Sequence, residues 1–267
     1  MAYLAVAGDP VKDLFYDKNG KVKIQKAGGA WNTYFNLEAV CKNWLKNTSC
    51  VALNDSSQNR GSIVVDHIFP DQFYRNEFCT VHYDHEGNIF KKDNIEYRPV
   101  VNVVSAVRNN YLDEPAILIL SDYNHGAIKA NPFHTYCYDL ELPWDMVVVD
   151  SRHRTIDTLY LKDDAFKVWH CTGTEFDKSY AELFNLILYT DGSNSAYLID
   201  MTTNKLTEFK IPDTPIVNTA GAGDTFVAAW TAHYIKNNNI FDAMAFAIDA
   251  AQDVIQTPYT DITRAKI

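Results

Sequence analysis

Residues 216–229 read Ile216-Val217-Asn218-Thr219-Ala220-Gly221-Ala222-Gly223-Asp224-Thr225-Phe226-Val227-Ala228-Ala229. A β-branched run enters a turn of small residues, which carries one carboxylate and opens into an alanine-rich helix. Gly221, Ala222 and Gly223 let backbone N–H groups approach an anion, and the helix adds the positive end of its dipole at the same place. Asp224 is out of keeping with that design, because a carboxylate repels the anion unless it has chemistry to perform. Taking a proton from an attacking hydroxyl during phosphoryl transfer is such chemistry, with the turn holding the transferring charge. The plainer alternative is a capped helix, since Asp and Gly are both common at strand-to-helix corners. The segment lacks the Lys of a P-loop and the third glycine of a dinucleotide fingerprint.

Working outward, the 267 residues with 47% hydrophobic content suffice for one sizeable core and are too few for two full domains. Alternating elements predict an α/β chain. Ala2 to Ala7 reads as a buried first strand ending at Gly8-Asp9, too short for a signal-peptide core and without a basic leader. Phe15 to Val22 reads as a hairpin standing off the core. Gly28-Gly29 leads into a helix from Ala30 to Leu45. Ser62 to Val104 reads as several antiparallel strands broken by a polar turn at Asp84 to Asn88. Within it, His82, His85 and Glu86 read as structure rather than a metal cluster, because a strand points His82 and His85 to opposite faces. Buried-strand runs follow at Ala116–Leu120, Met146–Val149 and Leu186–Tyr189. Such alternation implies a parallel sheet covered by helices, with ligands at the carboxyl ends of the strands.

Composition narrows the partners. Lys and Arg total 24 against 34 Asp and Glu, and a net charge of −10 opposes any broad nucleic-acid or anionic-membrane surface. Five widely spaced cysteines without a C-x-x-C pair indicate neither a disulfide framework nor a zinc knuckle, which suits a reducing cytoplasm. No apolar run reaches the roughly 18 residues of a membrane span.

The 216–229 string closely resembles the second signature of the ribokinase-like (PfkB) carbohydrate kinases, Asp-Thr-x-Gly-Ala-Gly-Asp-x-Phe, with Asn218 in place of the first Asp. The resemblance implies Asp224 as catalytic base and Gly221, Ala222 and Gly223 as the anion hole. Other segments align in order. Gly8-Asp9 resembles the family's opening strand end, which places Asp9, followed by Asp13, at sugar hydroxyls. Gly28-Gly29-Ala30-Trp31-Asn32 matches Gly-Gly-x-x-Asn on the sugar side, implying roles for Gly28, Gly29 and Asn32, with Asn36 one helical turn further on. Ser121-Asp122-Tyr123-Asn124-His125-Gly126-Ala127-Ile128 is similar to the Ser-Asp-Tyr-x-Lys-Gly-x-Leu of a branch that includes heptose-phosphate kinases, with His125 where a Lys is usual. Asp122 is thereby implied at the substrate, and Arg152 of Asp150-Ser151-Arg152 at a substrate phosphate.

On the nucleotide side, Thr190-Asp191-Gly192 matches a phosphate-contacting Thr-x-Gly, implying Thr190, Gly192 and Thr219, together with Gly221 and Gly223, at ATP. Cys171 to Asp177 lies where the family has Thr-Pro-Asn-Glu-x-Glu, with Thr174 and Asp177 replacing the Asn and the final Glu. Asp177 is then implied at hydrated Mg²⁺ through water. Ile248 replaces the usual Asn of an alanine-rich helix beside the adenine.

The expectation is therefore a single domain over 1–267, a three-layer αβα ribokinase-like sandwich with a mainly parallel central sheet. A small β lid comes from about 12–26 and parts of 62–104. The expected reaction is ATP-dependent phosphorylation of a sugar or sugar phosphate with Mg²⁺, in the cytoplasm, as a homodimer through the lid. Substitutions at Asn218, Thr174, Asp177 and Ile248 keep a sugar-binding pseudokinase open, and a nucleoside kinase of the same fold is the other alternative.

Overall fold

The computed structural model describes residues 2–44, 63–68, 79–94, 115–123, 144–151, 164–258 and 260. Strand β1 (Ala2–Gly8) and strand β7 (Ala116–Asp122) are buried at every position, as strands covered on both faces must be, and this is why both read as continuous apolar runs. They pair in parallel, and β7 continues through β8 (Met146–Ser151) and β9 (Phe166–Thr172) to β10 (Leu186–Asp191), each in parallel register. Two antiparallel strands, β11 (Ser195–Asp200) and β12 (Lys205–Lys210), finish that edge. At the other edge β4 (Ile63–Ile68) lies parallel to β1, giving the order β12-β11-β10-β9-β8-β7-β1-β4.

The sheet separates two apolar layers. On one face, helices α1 (Ala30–Trp44), α3 (Ala222–Asn237) and α4 (Ile240–Ile255) cover Leu4, Val6, Ile119, Val148 and Leu188. On the other, Tyr3, Leu118, Val147 and Ile187 pack with Trp144, Trp169 and Phe184, beside the short helix α2 (Lys178–Ala181). Among the described residues no helix is long and apolar enough to cross a membrane.

A second sheet stands over the carboxyl ends of the first. Its order is β3-β2-β5-β6, from β2 (Pro10–Tyr16), β3 (Val22–Gly29), β5 (Cys79–Tyr83) and β6 (Ile89–Asn94). Phe15 stacks on Tyr83 at 4.5 Å, and with Val11 and Val81 they form its small core. The hairpin expected around Phe15 to Val22 is the β2–β3 pair. Within the stretch expected to hold several antiparallel strands, β5 and β6 alone among the described residues pair that way with each other. Ile63–Ile68 instead extends the main sheet in parallel, because Val64 and Val65 fall in register with Tyr3 and Leu4 of the buried β1. The remaining residues of 62–104 lie outside those described.

The two sheets join where β1 passes straight into β2 and where β3 turns into α1. There Gly29 adopts φ +60° and Ala30 N–H donates to Asp9 O at 3.0 Å, and a side chain at Gly29 would collide with Asp9 O and Val11. The turn that resembles the kinase signature lies directly beneath the second sheet: Ala220 packs on that sheet's core, and Gly87 of the β5–β6 turn faces the Asn218 side chain.

Candidate active site

Helix α3 is capped at its N-terminus by Gly221, whose φ of +82° lies in the left-handed region and whose missing side chain leaves room for Thr260. Asn218 Oδ1 accepts from Ala220 N–H at 3.0 Å and shapes the approach, so the Asn that replaces the family's Asp still forms the turn. Ala222 N–H reaches Thr219 O at 3.3 Å and Thr225 N–H reaches Gly221 O at 2.9 Å. The N–H groups of Gly223 and Asp224 between them meet no backbone acceptor among the described residues, which leaves two donors for an anion at the positive end of the helix.

Asp224 is 3% exposed, and its carboxylate is gripped from α1 and from the residue that follows β7. Oδ1 accepts from Tyr123 Oη at 2.7 Å and from Thr33 Oγ1 at 2.9 Å, while Oδ2 accepts from Asn32 Nδ2 at 3.2 Å. Asn32 is held in turn by Thr260, whose hydroxyl donates to its Oδ1 at 3.0 Å. Burial dominates the titration of Asp224 and the Asp150 charge adds to it. Together they outweigh these three donors and push its pKa up to about 7. Burial and the Asp224 charge drive the Tyr123 phenol well above its usual value, so it remains a donor.

Two cavities meet here. One, of about 670 Å³, lies between the sheets and is lined by Asp13, Asn32, Asp122, Tyr123, Asp224 and, from the second sheet, Val11, Val81, Tyr83 and Lys92. The other, of about 480 Å³, runs between β10 and α4 and is lined by Thr190, Gly192, Ile211, Phe226, Ile248 and Ala251. Among the described residues only His170, Thr172, Thr219 and Gly223 line both, so the cavities touch at the first turn of α3.

Most residues marked in the sequence gather around this junction. Asp13, Gly29, Asn32, Asp122, Gly221 and Asp224 line the first cavity, Thr190, Gly192 and Ala222 the second, and Thr219 and Gly223 both. Two carboxylates are placed differently from the expectation. Asp9 is turned into the protein, where its Oδ2 accepts from Tyr123 N–H at 2.9 Å, and Asp13 holds the cavity wall. Asp177 caps α2, accepting from Ser179 N–H and Ser179 Oγ, each at 2.8 Å, while Glu175, anchored by Thr172 N–H, lines the first cavity. Gly28 is a spacer: its missing side chain leaves the room that the Asp13 carboxylate fills. Arg152 and His125 lie outside the described residues. Thr33, Tyr123 and His170 had no role in the sequence reading. Thr33 and Tyr123 adjoin marked residues, which was a usable signal, whereas a lone His inside the apolar β9 gave none.

The last third of the chain, residues 175–266, matches the family model described as pfkB family carbohydrate kinase. No curated protein sequence matches the chain. Solved structures match over nearly all of it. Arabidopsis thaliana ribokinase complexed with ribose and ATP is 14% identical with a TM-score of 0.58, over 97% of this chain and 94% of that one. Schistosoma mansoni adenosine kinase in complex with 2-fluoroadenosine is 13% identical with a TM-score of 0.60, over 97% and 96%. Methanocaldococcus jannaschii nucleoside kinase is 13% identical with a TM-score of 0.55, over 97% and 93%. The chain thus has the ribokinase-like α/β fold, with its buried Asp224 and glycine turn inside the segment that resembles the pfkB carbohydrate kinases.

Proposed function

We propose that this chain is a kinase that transfers the γ-phosphoryl group of ATP to a hydroxyl of a sugar or sugar phosphate. The observation that carries this reading is the junction itself: the buried Asp224 carboxylate and two backbone N–H groups without a backbone acceptor among the described residues, where a polar cavity and an apolar cavity meet.

The acceptor occupies the larger cavity, with its hydroxyls on Asp13, Asn32 and Asp122. Oδ2 of Asp224 carries one long hydrogen bond, from Asn32, which leaves lone-pair capacity for the proton of the attacking hydroxyl. As that proton passes to Asp224, the acceptor oxygen bonds to the γ-phosphorus and the bond to the β–γ bridging oxygen breaks, its electron pair leaving with ADP. The first turn of α3 faces the charge on the transferring group, with the Gly223 and Asp224 N–H groups as donors. The apolar lining of the smaller cavity, including Ile211, Phe226 and Ile248, suits a nucleobase better than bare pyrophosphate. The four-stranded sheet acts as a lid that keeps water from competing as acceptor.

Mg²⁺ fits the donor chemistry at Glu175, a carboxylate at the junction that can hold the hydrated ion through water, whereas Asp177 is engaged as a helix cap. When bound, the ion neutralises nucleotide phosphate oxygens. Lys92 on the lid supplies a cation for an acceptor that already bears a phosphate, a heptose phosphate among them. Val22, Ile89 and Phe90 are exposed apolar residues on the lid strands, which a homodimer through the lid would cover. A cytoplasmic location accords with ATP as donor. The apolar lid wall of Val11, Val81 and Tyr83 also suits a base, so a nucleoside acceptor is the second reading.

The test measures ADP release with ATP as donor, and orthophosphate release with pyrophosphate as donor, over panels of sugars, sugar phosphates and nucleosides. A sugar or sugar phosphate should give the highest kcat/KM with ATP. A nucleoside above all sugars selects the second reading, and no acceptor above the ATP-only blank removes the kinase reading.

A further inference from the structure

His170 is a basic side chain at the junction that the mechanism above leaves without a role. Along β9, Val168 and His170 point to the α3 face, while Trp169 and Cys171 point to the other. The ring is 2% exposed and stacks on Phe226 at 5.3 Å, one helical turn from the catalytic first turn. Its two nitrogens reach neighbouring strands on either side. Nδ1 lies 3.0 Å from Asp150 Oδ1 on β8, its partner in the parallel register, and Nε2 lies 3.4 Å from Thr190 Oγ1 on β10. The first contact is short enough to fix the ring. The second is at the weak end of hydrogen bonding, so another oxygen replaces Thr190 at little loss. Gly223 completes the enclosure, since a side chain there would stand 3.5 Å from Cε1.

Charge gives this placement a purpose. The described carboxylates lining the acceptor cavity are Asp13, Asp122, Asp150, Glu175 and Asp224, against Lys92 on the lid. A nucleotide triphosphate brought to this rim meets a strongly anionic wall, and His170 is the basic ring that faces both cavities. The geometry points to His170 as a phosphoryl-contacting catalytic residue, its ring fixed at Nδ1 by Asp150 and meeting a phosphate oxygen of the nucleotide at Nε2. Asp150 is its positioning residue. His170 forms and breaks no bond: it holds the phosphate chain in line between Thr190 and the first turn of α3 while the proton passes to Asp224 and the electron pair leaves with ADP.

The inference rests on the kinase reading for its rate effects, but its binding effect can be tested without turnover. Three variants separate the possibilities. His170→Phe keeps the stack on Phe226 and loses both nitrogens, His170→Gln keeps one donor, and Asp150→Asn loosens the ring. Calorimetry with Mg²⁺·ADP should show His170→Phe binding at least tenfold more weakly, with His170→Gln and Asp150→Asn between it and wild type. Steady-state kinetics should show kcat lowered about 100-fold in His170→Phe, the scale for losing one transition-state donor, with acceptor affinity and melting temperature unchanged. Binding and turnover within threefold of wild type in His170→Phe overturn the inference, as does a wild-type protein that binds neither ADP nor pyrophosphate. Wild type that binds ADP but turns over no acceptor removes the kinase reading alone, and the ADP comparison still decides His170. Should His170→Phe not fold, the imidazole NMR signal absent from His170→Gln must move when metal-free ADP is added to wild type. A stationary signal overturns the proposal.

Discussion

Replacing Asp224 with Asn should abolish turnover and stabilise the fold, with the gain confined to neutral and alkaline pH. The carboxyl pKa rises from 3.8 to about 7, chiefly because burial penalises its charged form. That is roughly 3 units, or about 4 kcal/mol at about 1.4 kcal/mol per unit, taken as a ceiling. The sign follows from proton counting. Between pH 4 and 7 the folded state holds a proton that the unfolded state has released, so wild-type stability falls as pH rises through this window and then levels off. Asn carries no charge and escapes that loss. Its amide, however, sets an N–H against Asn32 Nδ2 where Oδ2 accepted at 3.2 Å, a mismatch of about 1–2 kcal/mol. The net gain is about 2 kcal/mol at pH 8, a Tm roughly 4–8 °C higher, shrinking to about zero at pH 5, where the wild-type loss of about 1.7 kcal/mol only matches the amide mismatch. Scanning calorimetry of both proteins from pH 5 to 8 reads this difference, and ADP release should drop by about 10²–10⁴-fold. A stability difference that stays flat across this range would refute the burial argument, and retained turnover would refute the base.

Tyr123→Phe removes the 2.7 Å donor to Asp224 and so weakens the ionised form, moving the acid limb of kcat/KM upward by about 1–2 pH units. Activity should fall about tenfold or more at pH 7 and recover towards pH 9, and a limb that does not move speaks against the hydrogen bond. Gly221→Ala forces a side chain into the left-handed region and against Thr260, which holds Asn32. A loss of about 2–4 kcal/mol in urea unfolding is expected, and a neutral outcome would show that the turn relaxes. Ala251→Trp fills the apolar cavity, so KM for ATP should rise at least tenfold while acceptor KM stays constant. Equal changes in both would mean that the two cavities do not divide donor from acceptor. Cys171 is buried and its thiol pushed far above the usual range, chiefly by burial, so native protein should leave it unmodified by iodoacetamide at pH 8 while unfolded protein reacts.

What the chain determined by itself is local. Gly221 and Gly223 with Asp224 specify a tight turn and a helix start within a few residues, and that chemistry is readable because turn geometry and helix termini depend on near neighbours. Continuous apolar runs such as Ala116–Leu120 likewise announced buried parallel strands, because only a strand covered on both faces dispenses with alternation. Tertiary structure decided everything that depends on residues far apart in sequence. Ile63–Ile68 joined the main sheet rather than the lid because its partner is β1, some sixty residues earlier. Asp13 rather than Asp9, and Glu175 rather than Asp177, reached the cavity because one competitor was drawn to Tyr123 N–H and the other to a helix N-terminus. The acid strength of Asp224 is set by burial and by Asn32, Thr33, Tyr123 and Asp150, which the fold gathers from 74 to 192 positions away, and His170 gained its place between two strands in the same way. A carboxylate's identity is written in the sequence, but its desolvation and its partners are properties of the packed molecule, and those decide whether it serves as cap, brace or base.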